Sequence, residues 1–333
     1  MTGWAGQDEV RRIRFSPDAV GESEKRSSIQ QIRPAQKREL PEIIALWSVC
    51  LRHDQADAKL LEQFLENAEC CDPEGVLVAE ADGEIVGFII AIGNQGDTGW
   101  IPLFFVHPKH LRTGIGDSLL LGAESYLAGK GARDVRVEPF GRHARFSTGI
   151  DSRYLELIEL LCQNGFRVAD DSQVDIVKDL KMFEMPGWVM KARRSLEPEI
   201  TFGFCEPQFR QALLEFMSAH FSAYSGWCEV VREYGKQEGD PRLRVLAFRS
   251  GGVIGFTAFE KDVDWYIWAT GVRKDLRGRM IGSILVHMAL EEMKRRGADR
   301  MCISDCPIEF YKVVEGEVMR RYVMMSKSLR SAT

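Results

Sequence analysis

Two Gly-containing loops in this 333-residue chain have the composition and position of anion-binding sites. The first is Leu111-Arg112-Thr113-Gly114-Ile115-Gly116, and the second is Arg277-Gly278-Arg279-Met280-Ile281-Gly282. Each loop follows an apolar, strand-like segment and opens into a segment with apolar residues at helical spacing. Because the first N–H groups of a helix lack acceptors and the helix dipole favours negative charge, such a loop suits a pyrophosphate. Glycine lets a diphosphate approach the backbone, and arginine or Thr113 can bind its oxygens.

A repeat runs through the chain and includes both loops. The segments 76–91 and 244–259 each hold two apolar runs around a Gly-containing turn, which is typical of a β-hairpin. Gly87 and Gly255 in these segments lie 168 residues apart, and the last glycines of the two loops lie 166 apart. Two landmarks with nearly equal spacing indicate an internal duplication. The repetition favours ligand loops over plain turns, although neither loop has the Walker or the Rossmann pattern.

The rest of each repeat predicts the elements that position its loop. Helical sequence precedes the hairpins at roughly 37–67 and 206–236, and short strands are expected at 30–34 and 199–204. We therefore predict an α/β (α+β) protein with two tandem domains, each a mixed, mainly antiparallel twisted sheet flanked by helices. The expected division is a flexible extension at 1–28, domains at 29–185 and 199–333, and a linker at 186–198, where Pro, Gly and a basic cluster interrupt the apolar pattern.

Composition limits the class of protein and of partner. Hydrophobic residues make up 45% and charged residues 28% of the chain, which is typical of folded globular proteins. The formal net charge of -5 gives no general attraction to nucleic acid or anionic lipid. No apolar run approaches the roughly 20 residues of a membrane span and no secretory signal is evident, so we expect a cytoplasmic location. The 8 cysteines form no CxxC pair and have no His at zinc-ligand spacing, so we expect reduced thiols and no metal site.

Both loops resemble the acyl-coenzyme A loop of the GNAT N-acetyltransferase superfamily. That loop has Gln or Arg, two further residues, Gly, one residue, and then Gly or Ala. Each copy departs from this pattern once, with Leu111 at the Gln/Arg position of the first loop and Met280 at the first Gly position of the second. The resemblance covers nearly the whole chain from residue 29 onward. It implies two tandem GNAT domains, an acyltransferase activity and acetyl-coenzyme A as the acyl donor.

The resemblance also implies which residues bind coenzyme A. The molecule would lie in a splay between the fourth and fifth strands of a domain, with its pantetheine amides bonded to the strand backbone. Since Met280 places a side chain where phosphate usually meets bare backbone, we expect the first copy to be the better binder. The implied binding residues are Phe104, Phe105, Val106, Leu111, Arg112, Thr113, Gly114, Ile115 and Gly116 in the first copy, and Val272, Arg277, Gly278, Arg279 and Gly282 in the second.

Candidate catalytic residues are divided between the copies. Superfamily members often carry a Tyr on the last helix as an acid for the departing thiolate, and Tyr311 matches that position, whereas Leu161 stands there in the first copy. A tyrosine that only packs its ring in a core is the alternative for Tyr311. Attack by a neutral amine also benefits from a general base. The candidates by strand-end position are Glu138 in the first copy and Glu260, Asp262 or Asp264 in the second, each of them otherwise a surface carboxylate.

The first copy has an additional polar loop. Its loop glycine Gly116 lies 49 residues before Gly165, against 34 residues between Gly282 and Gly316, and the extra residues fall mostly in 139–154. A long polar loop beside a site is often a recognition element. The residues predicted to contact an acceptor are Arg145, Asp151 and Tyr154, with Arg142, His143 and Arg153 in the same loop.

Together these features predict an N-acyltransferase that moves acetyl from acetyl-coenzyme A to a primary amine of a small molecule, aminosugar-like or otherwise polar. The amine attacks directly in a ternary complex. Two alternatives stay open: acetylation of protein lysines or N-termini, and a degenerate pair that keeps the fold as a ligand-binding or assembly module. The expected partner is a small amine rather than nucleic acid or a membrane. The sequence leaves the acceptor's identity open. It also leaves the oligomeric state open, and a homodimer is one of the possible states.

Overall fold

The two halves of the chain form similar series of elements. The computed structural model describes residues 29–67, 71–139, 146, 148–222, 243–261 and 264–329. The strands of the first half are β1 (Ile29–Pro34), β2 (Val76–Ala81), β3 (Glu84–Gln95), β4 (Thr98–Val106), β5 (Asp134–Val137), β6 (Ile150–Asp151), β7 (Arg167–Asp170) and β8 (Gln173–Asp179). Its helices are α1 (Leu40–Cys50), α2 (Ala58–Glu66), α3 (Ile115–Gly129) and α4 (Leu155–Gln163).

The second half follows a connecting helix, α5 (Gly187–Leu196). Its strands are β9 (Thr201–Phe204), β10 (Arg244–Arg249), β11 (Gly252–Lys261), β12 (Trp265–Val272), β13 (Arg300–Pro307) and β14 (Glu317–Ser328), and its helices are α6 (Arg210–His220), α7 (Ile281–Arg295) and α8 (Ile308–Tyr311). Both predicted hairpins are confirmed as β2–β3 and β10–β11. Of the helix predicted over 206–236, α6 is observed, and the part within 223–242 lies outside the described residues.

The segment predicted as a linker is largely helical and packs on the second half. Val189 of α5 is buried in the second half's core. The Trp188 ring contacts the ring of His287 in α7 edge-on, with 5.1 Å between the ring centroids. The connection is therefore a docked helix, and the division of the chain at 185 and 199 stays a proposal.

Each long helix covers its sheet with one apolar face, as its spacing predicted. The residues predicted on that face of α3 are all fully buried: Ile115, Leu119, Ala123 and Leu127. The matching residues of α7 are buried as well: Ile281, Leu285, Ala289 and Met293. Among the described residues, no helix is long and apolar enough to cross a membrane.

The described strands pair into one 14-stranded sheet in the order β1-β2-β3-β4-β5-β14-β8-β13-β12-β11-β10-β9, with β6 and β7 paired to β14. Most neighbouring strands in this order run antiparallel to each other. Two pairs, β4–β5 and β12–β13, run parallel instead. The mixed, mainly antiparallel sheet with flanking helices confirms the predicted fold class.

The two halves exchange strands at the centre of this sheet. β14 is the last strand of the second half, yet its end lies between β5 and β7 of the first half, where Met325 stands opposite both Val137 and Val168. β8, the last strand of the first half, lies between β13 and the beginning of β14. Neither half therefore completes its sheet without a strand of the other.

Replacing Met325 by alanine is expected to lower the free energy of unfolding by about 2–5 kcal/mol, because its side chain is fully buried where the halves share the sheet. Met319→Ala, on the same strand but 53% exposed, is the matched control, with an expected change below about 0.5 kcal/mol. Urea denaturation followed by circular dichroism measures both. Since the halves share strands, we expect one transition. Two transitions, with only one moved by Met325→Ala, would contradict the shared sheet.

Candidate active site

A deep cavity opens in the second half where two parallel strands separate. β12 and β13 pair at Trp265–Met301 and Tyr266–Cys302 and then diverge. The space between them is a cavity of about 680 Å³, a size typical of small-molecule sites. Its walls come from β12, β13, α8 and the beginning of α7, and they include Trp268, Thr270, Val272, Gly282, Ser283, Ser304, Cys306 and Tyr311.

Two backbone amides of β12 face this cavity. The N–H of Arg273 donates to the Ile254 carbonyl of β11 at 2.9 Å. Backbone groups of successive residues in an antiparallel strand point to opposite sides. The N–H groups of Thr270 and Val272 therefore point away from β11, toward the space from which β13 diverges. An extended ligand can bond to such amides as an added strand would.

The beginning of α7 supplies a second polar wall. The first N–H with an acceptor inside the helix is that of Ile284, which donates to the Met280 carbonyl at 3.0 Å. The N–H groups of Ile281, Gly282 and Ser283 thus have no acceptor within the helix. The first turn of α7 carries no acidic residue. The helix dipole and these amides favour an anion such as pyrophosphate.

The arginines of the second loop hold its shape. Arg277 lines the cavity, and its Nε donates to the Val272 carbonyl at 3.1 Å, which ties the loop to the end of β12. Arg279 pairs with Glu199 at 2.6 Å, and the same carboxylate pairs with Arg249. Arg277 can therefore meet a ligand in the cavity, whereas Arg279 is already bound to the segment before β9.

Met280 is held in a strained backbone conformation. Its φ of 66° and ψ of 2° lie in the left-handed region, where a side chain costs about 1–2 kcal/mol. Gly114 occupies the corresponding place in the first loop, with a φ of 85°. Met280→Gly is expected to raise the free energy of unfolding by up to about 1 kcal/mol, because relief of the strain outweighs the added freedom of the unfolded chain.

The reciprocal change, Gly114→Met, is the control for this prediction and is expected to lower the free energy of unfolding by about 1–2 kcal/mol. Urea denaturation of both variants gives the two differences. Equal effects of the same sign in the two loops would show that the left-handed geometry does not decide their stability.

Tyr311, the predicted acid, lies in the wall of the large cavity. Its side chain is buried and its hydroxyl is hydrogen-bonded to the side chain of Thr270. The Thr270 Oγ1 lies 3.1 Å from the Oγ1 of the buried Thr257. Burial raises the pKa of Tyr311, so the phenol stays protonated at neutral pH. A neutral phenol in this wall can donate a proton to a leaving group.

Cys306 lies in the same wall but is not arranged as a nucleophile. Its Sγ donates to the Val174 carbonyl at 3.2 Å, and burial raises its pKa to about 12. Nucleophilic cysteines react as thiolates, which this environment disfavours. In the described part of the chain, no group of three or more His, Cys, Asp or Glu residues could hold a metal ion.

The corresponding cleft of the first half is closed. β4 and β5 also pair over a few residues and then separate, but the cavity between them is only about 30 Å³. Leu157 and Leu161 of α4, both buried, line this space. A Cβ atom on Gly116 would lie 2.3 Å from the Leu160 Cδ2, and one on Gly282 would lie 2.9 Å from the Phe310 Cε2, so in both halves the last helix packs on the start of the long helix. The intact glycine loop of the first copy thus adjoins a small cleft, whereas the loop of the second copy adjoins an open one.

The first loop also carries its own anion. Asp117 lies in the first turn of α3, where α7 has Ser283, and it accepts a hydrogen bond from Asn164 Nδ2 at 2.7 Å. A carboxylate there satisfies the helix dipole and repels a phosphate. This difference between the two loops is readable in the sequence.

The other predicted cofactor residues of the first half differ in their exposure and contacts. Four of them are buried: Phe104, Phe105, Val106 and Ile115. Leu111 is partly buried and packs against the same core. Thr113 Oγ1 donates to a backbone carbonyl of the preceding turn at 2.9 Å. The Arg112 side chain is 82% exposed.

The predicted catalytic pair is not brought together. Glu138 lines the small first-half cavity and pairs with Arg136 at 3.3 Å, whereas Tyr311 lines the second-half cavity. The alternative bases are engaged elsewhere, since Glu260 accepts from the Tyr266 hydroxyl and Asp264 pairs with Arg300 at 2.7 Å. Four predicted candidates lie outside the described residues: Asp262, Arg142, His143 and Arg145.

Asp151 and Tyr154 belong to a polar network at the junction of the halves. Asp151 accepts from Arg153 at 2.8 Å and from Arg320 of β14 at 2.9 Å. Tyr154 donates to Asp54 at 2.9 Å, and Arg320 reaches the same carboxylate at 2.5 Å. Burial opposes ionisation of Asp151, but its arginine partners hold its pKa below the ordinary value. The network therefore fixes the exchanged strand to the first half.

A second, polar cavity of about 310 Å³ adjoins the large one, and Ser304 lines both. Tyr322 donates to Asp175 in its wall at 2.6 Å, and the Asp305 N–H donates to the same carboxylate at 3.0 Å. Sequence reasoning missed this cavity because strand exchange assembles it. Its described lining residues are Asp54, Gln55, Phe146, Thr148, Asp175, Ser304, Arg320 and Tyr322.

Comparison with known proteins agrees with this architecture. The model of the acetyltransferase (GNAT) family matches residues 40–145 and 207–312. An acetyltransferase of Sodalis glossinidius (strain morsitans) is 27% identical over 145 residues, which are 43% of this chain and 99% of that protein.

Two solved structures share the fold over most of the chain. The glucosamine N-acetyltransferase region of a fungal multi-domain β-N-acetylglucosaminidase has a TM-score of 0.67 at 20% identity, covering 89% of this chain and 38% of that one. A tandem GNAT protein from the clavulanic acid biosynthesis pathway has a TM-score of 0.56 at 14% identity, covering 91% and 99%. Repeated fold and cleft thus define a tandem acyltransferase. The chain belongs to the GNAT family and is an N-acetyltransferase.

Proposed function

We propose that the second half binds acetyl-coenzyme A in the 680 Å³ cavity and transfers its acetyl group to the primary amine of a small polar molecule. The observation that carries the proposal is the contrast between the two clefts. The second-half cleft is open beside an acid-free helix start, whereas the first-half cleft has been reduced to about 30 Å³ and has Asp117 beside it.

The residues around the open cleft fit the parts of this molecule. The N–H groups at the beginning of α7, with Arg277, suit the pyrophosphate, and the N–H groups of Thr270 and Val272 suit the pantetheine amides. Bound acetyl-coenzyme A supplies a thioester, at which a C–N bond to the amine forms and the C–S bond breaks. Tyr311, bonded to Thr270, holds the proton that the leaving sulfur takes up, and the amine's surplus proton passes to solvent.

Direct binding tests the first half of this proposal. Isothermal titration with acetyl-coenzyme A is expected to give about one site per chain. Two equal sites would contradict the proposal that only the second half binds acetyl-coenzyme A. The absence of any heat of binding would rule out the proposed function.

An amine panel with detection of the free thiol tests the second half of the proposal. Small hydroxylated amines such as glucosamine are expected to cause release of the thiol. The description of the fungal structural neighbour as a glucosamine N-acetyltransferase region supports the choice of glucosamine. A lysine-containing basic peptide and a peptide with a free N-terminus represent the alternative acceptors. Thiol release with the peptides alone would make the protein a peptide or protein acetyltransferase.

A further inference from the structure

We propose that the polar cavity next to the large one is the acceptor site, where the Asp175 carboxylate holds a small amine without acidic groups as its ammonium form, which loses a proton to solvent before the neutral amine attacks the thioester. This inference rests on the proposed function, because it places the acceptor beside the acetyl group held in the second half.

Position is the first argument. Ser304 lines both cavities, so the two spaces meet at this residue on β13. On β8, Gln173 lines the large cavity and Asp175 the polar one, and on β14 the same holds for Met324 and Tyr322. Residues two apart on a strand share a face of the sheet. One continuous sheet face therefore leads from the acyl donor's cavity to the polar cavity.

Charge is the second argument. Asp175 accepts one hydrogen bond on each oxygen, from the Asp305 N–H and the Tyr322 hydroxyl. Each carboxylate oxygen can accept more than one bond, so acceptor capacity for an ammonium remains. The basic side chain among the described lining residues is Arg320, and it already bridges Asp54 and Asp151. The cavity thus offers negative charge to a ligand and favours an ammonium over a carboxylate or phosphate.

Strand exchange is the third argument, because it makes the cavity a joint product of the two halves. Asp54 and Thr148 come from the first half, Ser304 comes from the second, and the exchanged strands add Asp175 and Tyr322. The first half, whose own cleft is filled, thereby retains a function as a wall of the acceptor site.

The test is Asp175→Asn, which keeps the shape of the side chain and removes its charge. Glucosamine is titrated into the full-length protein saturated with coenzyme A, so that binding is measured without turnover. The glucosamine Kd is expected to rise about 10- to 100-fold, the range for a lost hydrogen bond to a charged group. KM for glucosamine is expected to rise similarly, with a smaller change in kcat, while the coenzyme A Kd stays within about twofold.

Controls separate this inference from the proposed function. Asp179→Asn removes a carboxylate from the same strand outside the polar cavity, and it is expected to leave the glucosamine Kd unchanged. If Asp175→Asn loses coenzyme A binding as well, its fold is damaged and Tyr322→Phe decides instead, with an expected Kd rise of about 2- to 10-fold. If acetyl-coenzyme A fails to bind the wild-type protein, the proposed function fails before this inference is reached.

The ligand class is tested on the wild-type protein with four amines. Glucosamine and ethanolamine carry no acidic group, whereas glutamate and glucosamine 6-phosphate do. The proposal is overturned if glutamate or glucosamine 6-phosphate binds more tightly than glucosamine and ethanolamine, or if neither glucosamine nor ethanolamine binds. An unchanged glucosamine Kd in a folded Asp175→Asn protein would overturn it as well.

Discussion

Ser283→Asp is expected to weaken acetyl-coenzyme A binding by about 30-fold or more. Ser283 lies in the first turn of α7 and lines the cavity proposed for coenzyme A. A carboxylate there would compete with the pyrophosphate for the helix N–H groups and repel its charge, a loss of about 2 kcal/mol or more in a partly buried site. Isothermal titration measures the affinity, and Ser283→Ala separates loss of the hydroxyl from gain of the charge, with only a several-fold effect expected.

The reciprocal variant, Asp117→Ser, is the matched control for the first half. It removes the carboxylate from the start of α3 but leaves the cleft filled by α4, so we expect no second site and no change in affinity. Because Ser283 is buried, thermal unfolding of the Ser283→Asp variant must show that the protein remains folded. A folded Ser283→Asp protein with wild-type affinity, together with a gain of binding in Asp117→Ser, would move the coenzyme A site to the first half.

Tyr311→Phe is expected to lower kcat by about 10²- to 10³-fold while the acetyl-coenzyme A Kd stays within about twofold. General acid catalysis contributes effects of this order, and the substitution removes the proton donor without removing the ring. Because burial raises the pKa of Tyr311, the phenol stays protonated well above neutral pH, and loss of the acid should not limit kcat between about pH 6 and 9. Steady-state kinetics across this range, with binding by titration, measures both parameters.

Tyr126→Phe provides the comparison for a tyrosine outside the site. Tyr126 lies in α3 of the first half and donates to Asp72 at 3.1 Å, so its loss is expected to leave kcat unchanged. If Tyr311→Phe also keeps the wild-type kcat, then Tyr311 packs its ring in the cavity wall and the proton comes from solvent.

The contrast between the clefts gives the duplication a physical meaning. Both halves keep the helices and strands that build the fold, but Leu157 and Leu161 line a small first cleft where the second half has an open space next to Tyr311. Under the proposed function, the alternative of a degenerate, non-catalytic copy applies to the first half. Its proposed role is to build a wall of the acceptor cavity rather than to bind a second acetyl-coenzyme A.

Local pattern in the sequence determined most of the fold. Hairpins, long amphipathic helices and the two Gly-containing loops follow from apolar spacing and turn residues, which act over a few positions. The duplication was visible as equal offsets, and the choice of Tyr311 over Leu161 at matching positions was a difference between single residues. The glycines of the two loops and the residues Asp117 and Ser283 were readable in the sequence as well, and the proposed function gives more weight to Asp117 and Ser283 than to the glycines.

Tertiary structure alone decided which cavities form and which residues line them. The size of the first-half cleft depends on Leu157 and Leu161, which reach it from a helix that follows β4 and β5 in the chain. The exchange of β8 and β14 pairs strands that are far apart in sequence, and the apolar pattern of each strand is satisfied equally by a partner from either half. Asp175 and Tyr322 meet only through that exchange, because side-chain packing and strand pairing over long distances leave no periodic signal in the sequence.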